Sequence, residues 1–285
     1  MTMAGLGLSI SRQNLSAMLA STKARILIIT RYKGSAAMDV VVPIVLAMMP
    51  ILLGRATGGA HTAEVFAANT GTENYVAYMM IGASVFTIVS MAFWHIANWL
   101  RWEMQSGTIE SIYLTPTHRI WIAGGTAIYS MVRSILTAFL AYLIGSWVLG
   151  VNPFQGELLL ALAFILVGLL PLYGMMLLFG ALILKIKEAN SIINLAQWVL
   201  NLLMGVFYPI AVLPPLARTA SLLFPPTWMT NGVRSAILGV GYFFDAWYLD
   251  FAVLWVFMII APLIGVWVFR KAEASVQRNE GVGKF

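Results

Sequence analysis

Long apolar runs alternate with short polar ones along this chain. Six of the runs reach the roughly 20 mostly apolar residues that cross a hydrocarbon core: about Ser35 to Gly54, Tyr75 to Leu100, Ile120 to Leu149, Leu158 to Leu184, Ser191 to Leu213 and Tyr248 to Phe269. Pro43 kinks the first, and Pro171 with Gly174 breaks the fourth; membrane helices tolerate both residue types. A polar loop, RATGGAHTAEVFAANTGTEN, is expected between the first two spans. Ahead of them, residues 12-33 carry Leu15, Met18, Leu19, Thr22, Ile26 and Ile29 at helical spacing, with Arg12, Ser16 and Lys23 off that face. Such a basic amphipathic helix lies in a membrane interface or packs as a partly solvated N-terminal helix. Before the last span come two shorter pieces, roughly Leu216 to Leu223 and Trp228 to Leu238, set off by Pro214-Pro215 and Pro225-Pro226. They are too short to cross a bilayer and suit re-entrant or interfacial helices. The expected fold is an all-α membrane protein: six transmembrane helices, an N-terminal amphipathic interfacial helix, and short re-entrant helices before the last span. Residues 1-285 form a single transmembrane domain, with 101-119 and 206-240 as its main polar or broken segments.

Composition agrees with this pattern and narrows it. The chain is 60% hydrophobic and 10% charged, against about 45–50% and about 25% in soluble domains. The excess is spread along the sequence, so it describes several spans and leaves no room for a catalytic domain. There is no cysteine, hence no disulfide and no thiolate metal site. The first apolar run starts behind a basic segment, late for a cleavable signal. The net charge of +6 reads as orientation, not as a nucleic-acid footprint. With six spans, Arg12, Lys23, Arg25, Arg31, Lys33, Arg101, Arg119, Lys185, Lys187, Arg270, Lys271, Arg278 and Lys284 fall on one side; Arg55, Arg218 and Arg234 fall on the other. The positive-inside rule then places both termini and segment 101-119 in the cytosol, and segment 206-240 outside, in a multi-pass plasma-membrane protein.

Enzyme chemistry is not expected. Neither HExxH nor GxSxG occurs. His61, His95 and His118 fall in different segments, and GVGKF at the C-terminus lacks the first glycine and the final Ser or Thr of a phosphate loop. No catalytic residue, metal site or bound cofactor is assigned. Two charges fall inside spans. Asp39 sits in the first turns of span one, either as an interfacial carboxylate at a helix N-terminus or as an ion-coupling acid. Arg133 lies about 20 Å into span three at 1.5 Å per residue; it either pairs with another helix or lines a transport path. Two polar stripes are more extensive. Asn190, Asn194, Gln197, Asn201, Gly205 and Tyr208 share one face of span five, and Ser84, Thr87, Met91, His95 and Asn98 share one face of span two. Facing lipid would be costly, so both stripes serve as interhelical hydrogen-bond glue or as the wall of a polar path.

The segment QSGTIESIYLTPTHR, between spans two and three, places Glu103 and Glu110 among uncharged residues and ends in Thr-Pro. A short helix held between two rigid spans is suited to transmit a push. RWEMQSGTIESIYLTPTHRIWIAGG resembles the loop after the second span in the type-2 export permeases of ATP-binding-cassette (ABC) transporters, where Gly-Thr-(Ile/Leu)-Glu precedes a Thr-Pro or similar pair. GVFYPIAVLPPLARTASLLFPPTWMTNGVRSAILG is similar to that family's later motif through Phe207, Tyr208, Pro209, Leu213, Pro214, Pro215, Pro226, Trp228 and Arg234.

The resemblance implies an export permease that borrows its work. A second permease, identical or homologous, would pair with it in the membrane lipid, and separate ATP-binding subunits holding ATP and magnesium would dock below. Residues 12-33 would be the connecting helix. Glu103, Gln105, Gly107, Thr108, Glu110 and Ser111 would couple to the ATPase. Spans two and five would line the path through Ser84, Thr87, Met91, Asn98, Asn194, Gln197, Asn201 and Tyr208, with Arg133, and the 206-240 pieces would cap it outside. The cargo expected is an amphipathic small molecule or lipid. The alternatives are a permease for a lipid-linked glycan, an ion-coupled secondary transporter, for which no inverted repeat or central acid is found, and a membrane enzyme or silent anchor subunit.

Overall fold

The structure, a computed structural model, describes residues 12–31, 33–105, 107, 109–115, 117, 119–183 and 189–279, and among these it contains helices and no strand. In chain order the helices are α1 (Arg12–Arg31), α2 (Lys33–Gly58), α3 (Thr62–Thr70), α4 (Tyr75–Gln105), α5 (Ile109–Leu114), α6 (Arg119–Leu149), α7 (Leu158–Ile183), α8 (Ala189–Met204), α9 (Pro215–Leu222), α10 (Pro225–Leu238) and α11 (Trp247–Asn279). Short 3₁₀ turns cover Gly59–His61 and Ile210–Val212.

The ends of these helices follow local chemistry. Pro215 and Pro225 open α9 and α10 in the first turn, where a missing N–H costs nothing and the fixed φ suits a helix. The segment expected as a polar loop after span one is largely helical. α2 continues to Gly58, and α3 follows the 3₁₀ turn. Thr62 supports this turn by donating its hydroxyl to the Gly54 carbonyl at 2.8 Å.

Four described stretches are each long and apolar enough to cross a membrane: Ala37–Gly58, Ile120–Leu149, Leu158–Leu182 and Trp247–Ala272. Thr62–Thr70 and Tyr75–Met91, bent by 59°, qualify together as a fifth. The fifth expected span, Ser191 to Leu213, is shorter than the sequence suggested. α8 has 16 residues, about 24 Å at 1.5 Å each, against a core of about 30 Å. It stops because Gly205 adopts a left-handed φ of 60°, and Pro209 follows in extended backbone.

α7 and α11 pack along their lengths, and their backbones meet at Gly174 and Gly265; a Cβ on either would overlap the other helix's main chain. Small residues give such close approach where lipid offers no hydrophobic drive. α4 packs on α6 and α7, and α10 is wedged against α4 and α7. Phe164, Met80, Ile81, Ile88, Met176 and Met229 are fully buried between them. The outward faces are apolar: Val41, Val45, Met49 and Leu52 of α2, Val132, Leu136 and Phe139 of α6, and Val256, Ile259 and Leu263 of α11 are exposed. An apolar exterior of this extent has hydrocarbon, not water, as its solvent.

α1 lies across the start of α6. Ser21 donates to the Ile122 carbonyl at 3.1 Å and Thr22 to the Gly125 carbonyl at 2.9 Å. The expected apolar face therefore divides. Met18 and Thr22 turn toward α6, while Leu15, Leu19 and Ile26 remain exposed.

Candidate functional site

The far end of α8 is built around one buried cation. Arg234 of α10 is 3% exposed. Its guanidinium donates to the Gly205 carbonyl at 2.8 Å, to the Val206 carbonyl, and to the Tyr78 carbonyl at 3.3 Å. Its carbon lies 3.7 Å from the centroid of the Tyr78 ring. The last carbonyls of a helix have no intrahelical partner. Here the Tyr208 hydroxyl donates to Leu202 at 2.7 Å and the Thr227 hydroxyl to Leu203 at 3.0 Å. Together with Arg234 they serve the carbonyls of Leu202, Leu203, Gly205 and Val206, and a cation at a helix C-terminus is favoured by its dipole. A Cβ on Gly82 would overlap the Val206 carbonyl and the Arg234 guanidinium, so the latch needs glycine there. Sequence reading placed Arg234 in a motif without a task; its signal was an arginine inside an apolar helix, which must find acceptors.

Below the latch, α8 touches α4, α9 and α10 only lightly. Ala196, Leu200 and Met204 form its buried edge, and Leu195, Trp198 and Leu202 form an exposed apolar face, with Trp198 76% exposed. The expected polar stripe lies between these faces. Asn194 is exposed and Gln197 and Asn201 are half-buried. The stripe of α4 sits differently. Ser84, Thr87 and Asn98 are buried and donate to carbonyls of their own helix, those of Met80, Ala83 and Trp94, at 2.8, 2.8 and 3.0 Å. Met91 is half-buried, and the His95 side chain lies outside the described residues.

Arg133 and Asp39 are brought together as an ion pair between α6 and α2, and Arg133 also donates to the Tyr129 hydroxyl at 3.2 Å. The two intramembrane charges thus neutralise each other across two helices. Neither sequence spacing nor periodicity could pair residues this far apart. α6 also hides a run of small polar residues, Thr126, Ser130, Ser134 and Thr137. Their spacing of about one helical turn was a small-residue packing signal that the sequence reading passed over.

At the opposite end, α4 extends through Glu103 to Gln105, Gly107 takes a left-handed φ of 67°, and α5 carries Glu110 and Ser111. Of the six expected coupling residues, Glu103 and Gln105 therefore belong to α4, Gly107 to the turn after it, and Glu110 and Ser111 to α5. Glu103 faces inward to α1, forming a 2.5 Å ion pair with Arg25. Ser111 is exposed and Leu114 strongly so, while Ile112 packs against the core formed by Ile120, Leu177 and Phe269. Thr108 lies outside the described residues, as do the side chains of Gln105 and Glu110. Among the described residues, no group of His, Cys, Asp and Glu is placed to hold a metal ion.

This assembly of apolar-faced helices, with Asp39 and Arg133 paired within it, defines a multi-pass membrane protein. The family model of the ABC-2 type transporter matches residues 16–238, well over half of the chain. The chain belongs to that family and is a transport permease of it. No curated protein matches the chain.

Proposed function

We propose that this chain is the membrane-spanning subunit of an ABC exporter for an amphipathic small molecule or lipid, worked by a separate ATP-binding subunit that carries the ATP and magnesium. The observation that carries the reading is α8. It is anchored by the Arg234 latch, lightly packed below it, and shows amides beside an exposed apolar face. The amides would be costly against lipid, and a second permease, identical or homologous, covers them. The amides Asn194, Gln197 and Asn201 then border the seam between the two subunits, with Tyr208 at its end. On the neighbouring helix, Met91 stands nearest this role; Ser84, Thr87 and Asn98 stiffen α4 behind the path, and Arg133 holds α2 to α6.

In this reading both termini and the α5 end are cytosolic, and the α9–α10 end is outside. α5, with Glu110, Ser111 and Leu114, presses into the ATPase. The Arg25–Glu103 pair ties α1 to the end of α4, so the two move together. Nucleotide binding shifts a two-state equilibrium between inward and outward access. The pairing of Asp39 with Arg133 weighs against ion coupling, because a proton- or sodium-carrying acid needs its charge free to change.

Purification from native membranes tests the proposal. An ATP-hydrolysing subunit is expected to co-purify, and Glu110→Arg is expected to cut its stimulated hydrolysis about tenfold or more, the size of a lost interfacial hot spot. Vectorial transport by the chain alone, without nucleotide, would refute it.

A further inference from the structure

The stripe on α8 leads to a cavity. A pocket of about 390 Å³ opens at the α9–α10 end, walled by α3, the end of α8, α9, α10 and the loop before α11. Asn69, Tyr208, Arg218, Asn231 and Arg234 are among the residues that line it. Its size falls within the roughly 300–1,000 Å³ of small-molecule sites.

The charge of the pocket is one-sided. Among its described lining residues, Arg218 and Arg234 are the charged ones. Arg234 gives its donors to backbone carbonyls and lies over the Tyr78 ring, so no carboxylate cancels its positive charge. Arg218 is exposed, and its guanidinium forms neither a hydrogen bond nor an ion pair with any described residue. A guanidinium presents five donors in a planar fork that matches an oxyanion bidentately. Among the described residues, no acid of this end lines the pocket: Glu73, Glu157 and Asp245 lie outside it, and Asp250 sits behind its wall, bonded to Asn231 and accepting the Phe243 and Phe244 N–H groups at 2.9 and 3.1 Å. Glu64 pairs with His61. Tyr208 lines the pocket at the end of the amide stripe, and the exposed Leu202 and Trp198 continue downward as an apolar surface.

We propose that this pocket binds the oxyanion headgroup of an amphiphile, a phosphate-type group gripped by Arg218 and held in the field of buried Arg234, with its tail along the apolar face of α8. As a station for exported cargo the site rests on the exporter reading; as a binding site it stands alone. It narrows the cargo to anionic amphiphiles and disfavours cationic ones, since a cation would enter a cavity carrying two like charges.

The test is calorimetric titration of the full chain in phosphatidylcholine nanodiscs, without nucleotide or partner, with empty discs subtracted. Dodecyl phosphate is expected to bind saturably and dodecyltrimethylammonium is not. Arg218→Gln is expected to weaken dodecyl phosphate about tenfold, the order of one charge-assisted hydrogen bond, and Arg218→Lys to recover part of it. Arg55→Gln, which removes a cation bonded to Tyr75 and outside the pocket, is expected to change nothing. Competition by inorganic phosphate supports the site and shows that the headgroup alone suffices; failure to compete supports it with an amphiphile as the source. Absent saturable binding, equal binding of the cation, or unchanged affinity in Arg218→Gln overturns the proposal. ATPase coupling without dodecyl phosphate binding would reject this site and leave the exporter reading standing.

Discussion

Replacing Arg234 by Gln would remove the fork that serves the carbonyls of Tyr78, Gly205 and Val206. A buried acceptor left unsatisfied costs about 1–3 kcal/mol, so the variant is expected to lose about 3 kcal/mol or more, read as a lower midpoint in thermal unfolding of the purified protein. Arg234→Lys keeps the charge but not the planar fork and is expected to fall between. An unchanged midpoint for Arg234→Gln would mean that the carbonyls find other donors. This side chain was visible in the sequence as part of a motif. Its acceptors were not, because they lie on segments 28, 29 and 156 positions away, and no periodicity reports contacts of that range.

Among whole elements, the Asp39–Arg133 pair is a charged link between α2 and α6, which also pack against each other. The pair is partly exposed, with 27% and 17% of the side chains accessible. Its value falls between the 0–1 kcal/mol of surface pairs and the 3–5 kcal/mol lost on breaking buried ones. Asp39→Leu is expected to cost about 2 kcal/mol, because Arg133 is left uncompensated among apolar helices. The double change Asp39→Leu with Arg133→Leu is expected to recover most of it, since apolar residues replace buried pairs at little cost. Thermal unfolding of the four proteins in one detergent measures the cycle; additive losses would show that the two charges do not interact. The helices were largely legible in advance: α4, α6, α7 and α11 appear where long apolar runs stand. The misses have local causes. Thr62 lets the expected polar loop fold back as a turn and α3, and Gly205 cuts α8 short.

For the molecule as a whole, the orientation drawn from Lys and Arg is open to direct measurement. The chain has no cysteine, so a single introduced one has no background. Ser111→Cys and Leu216→Cys place a thiol at exposed positions on α5 and α9, at opposite ends of the bundle. In intact cells a membrane-impermeant maleimide is expected to label Leu216→Cys and to reach Ser111→Cys only after permeabilisation. The reverse pattern would invert the topology and with it the role given to α5.

What the amino-acid sequence determined alone is what depends on composition and short-range spacing: a membrane solvent, a helical backbone, the placing of most spans, and the two motifs that point to the family. These follow from runs and periods within about 20 residues, the range over which a helix presents its faces. Tertiary structure decided which polar groups meet. It closed the end of α8 on Arg234, cancelled Asp39 against Arg133, turned Glu103 inward to Arg25, buried one polar stripe and left the other at the surface beside a cationic pocket. Each is a satisfaction of charge or hydrogen bonding between distant segments, and only the packing of the helices brings such partners within reach.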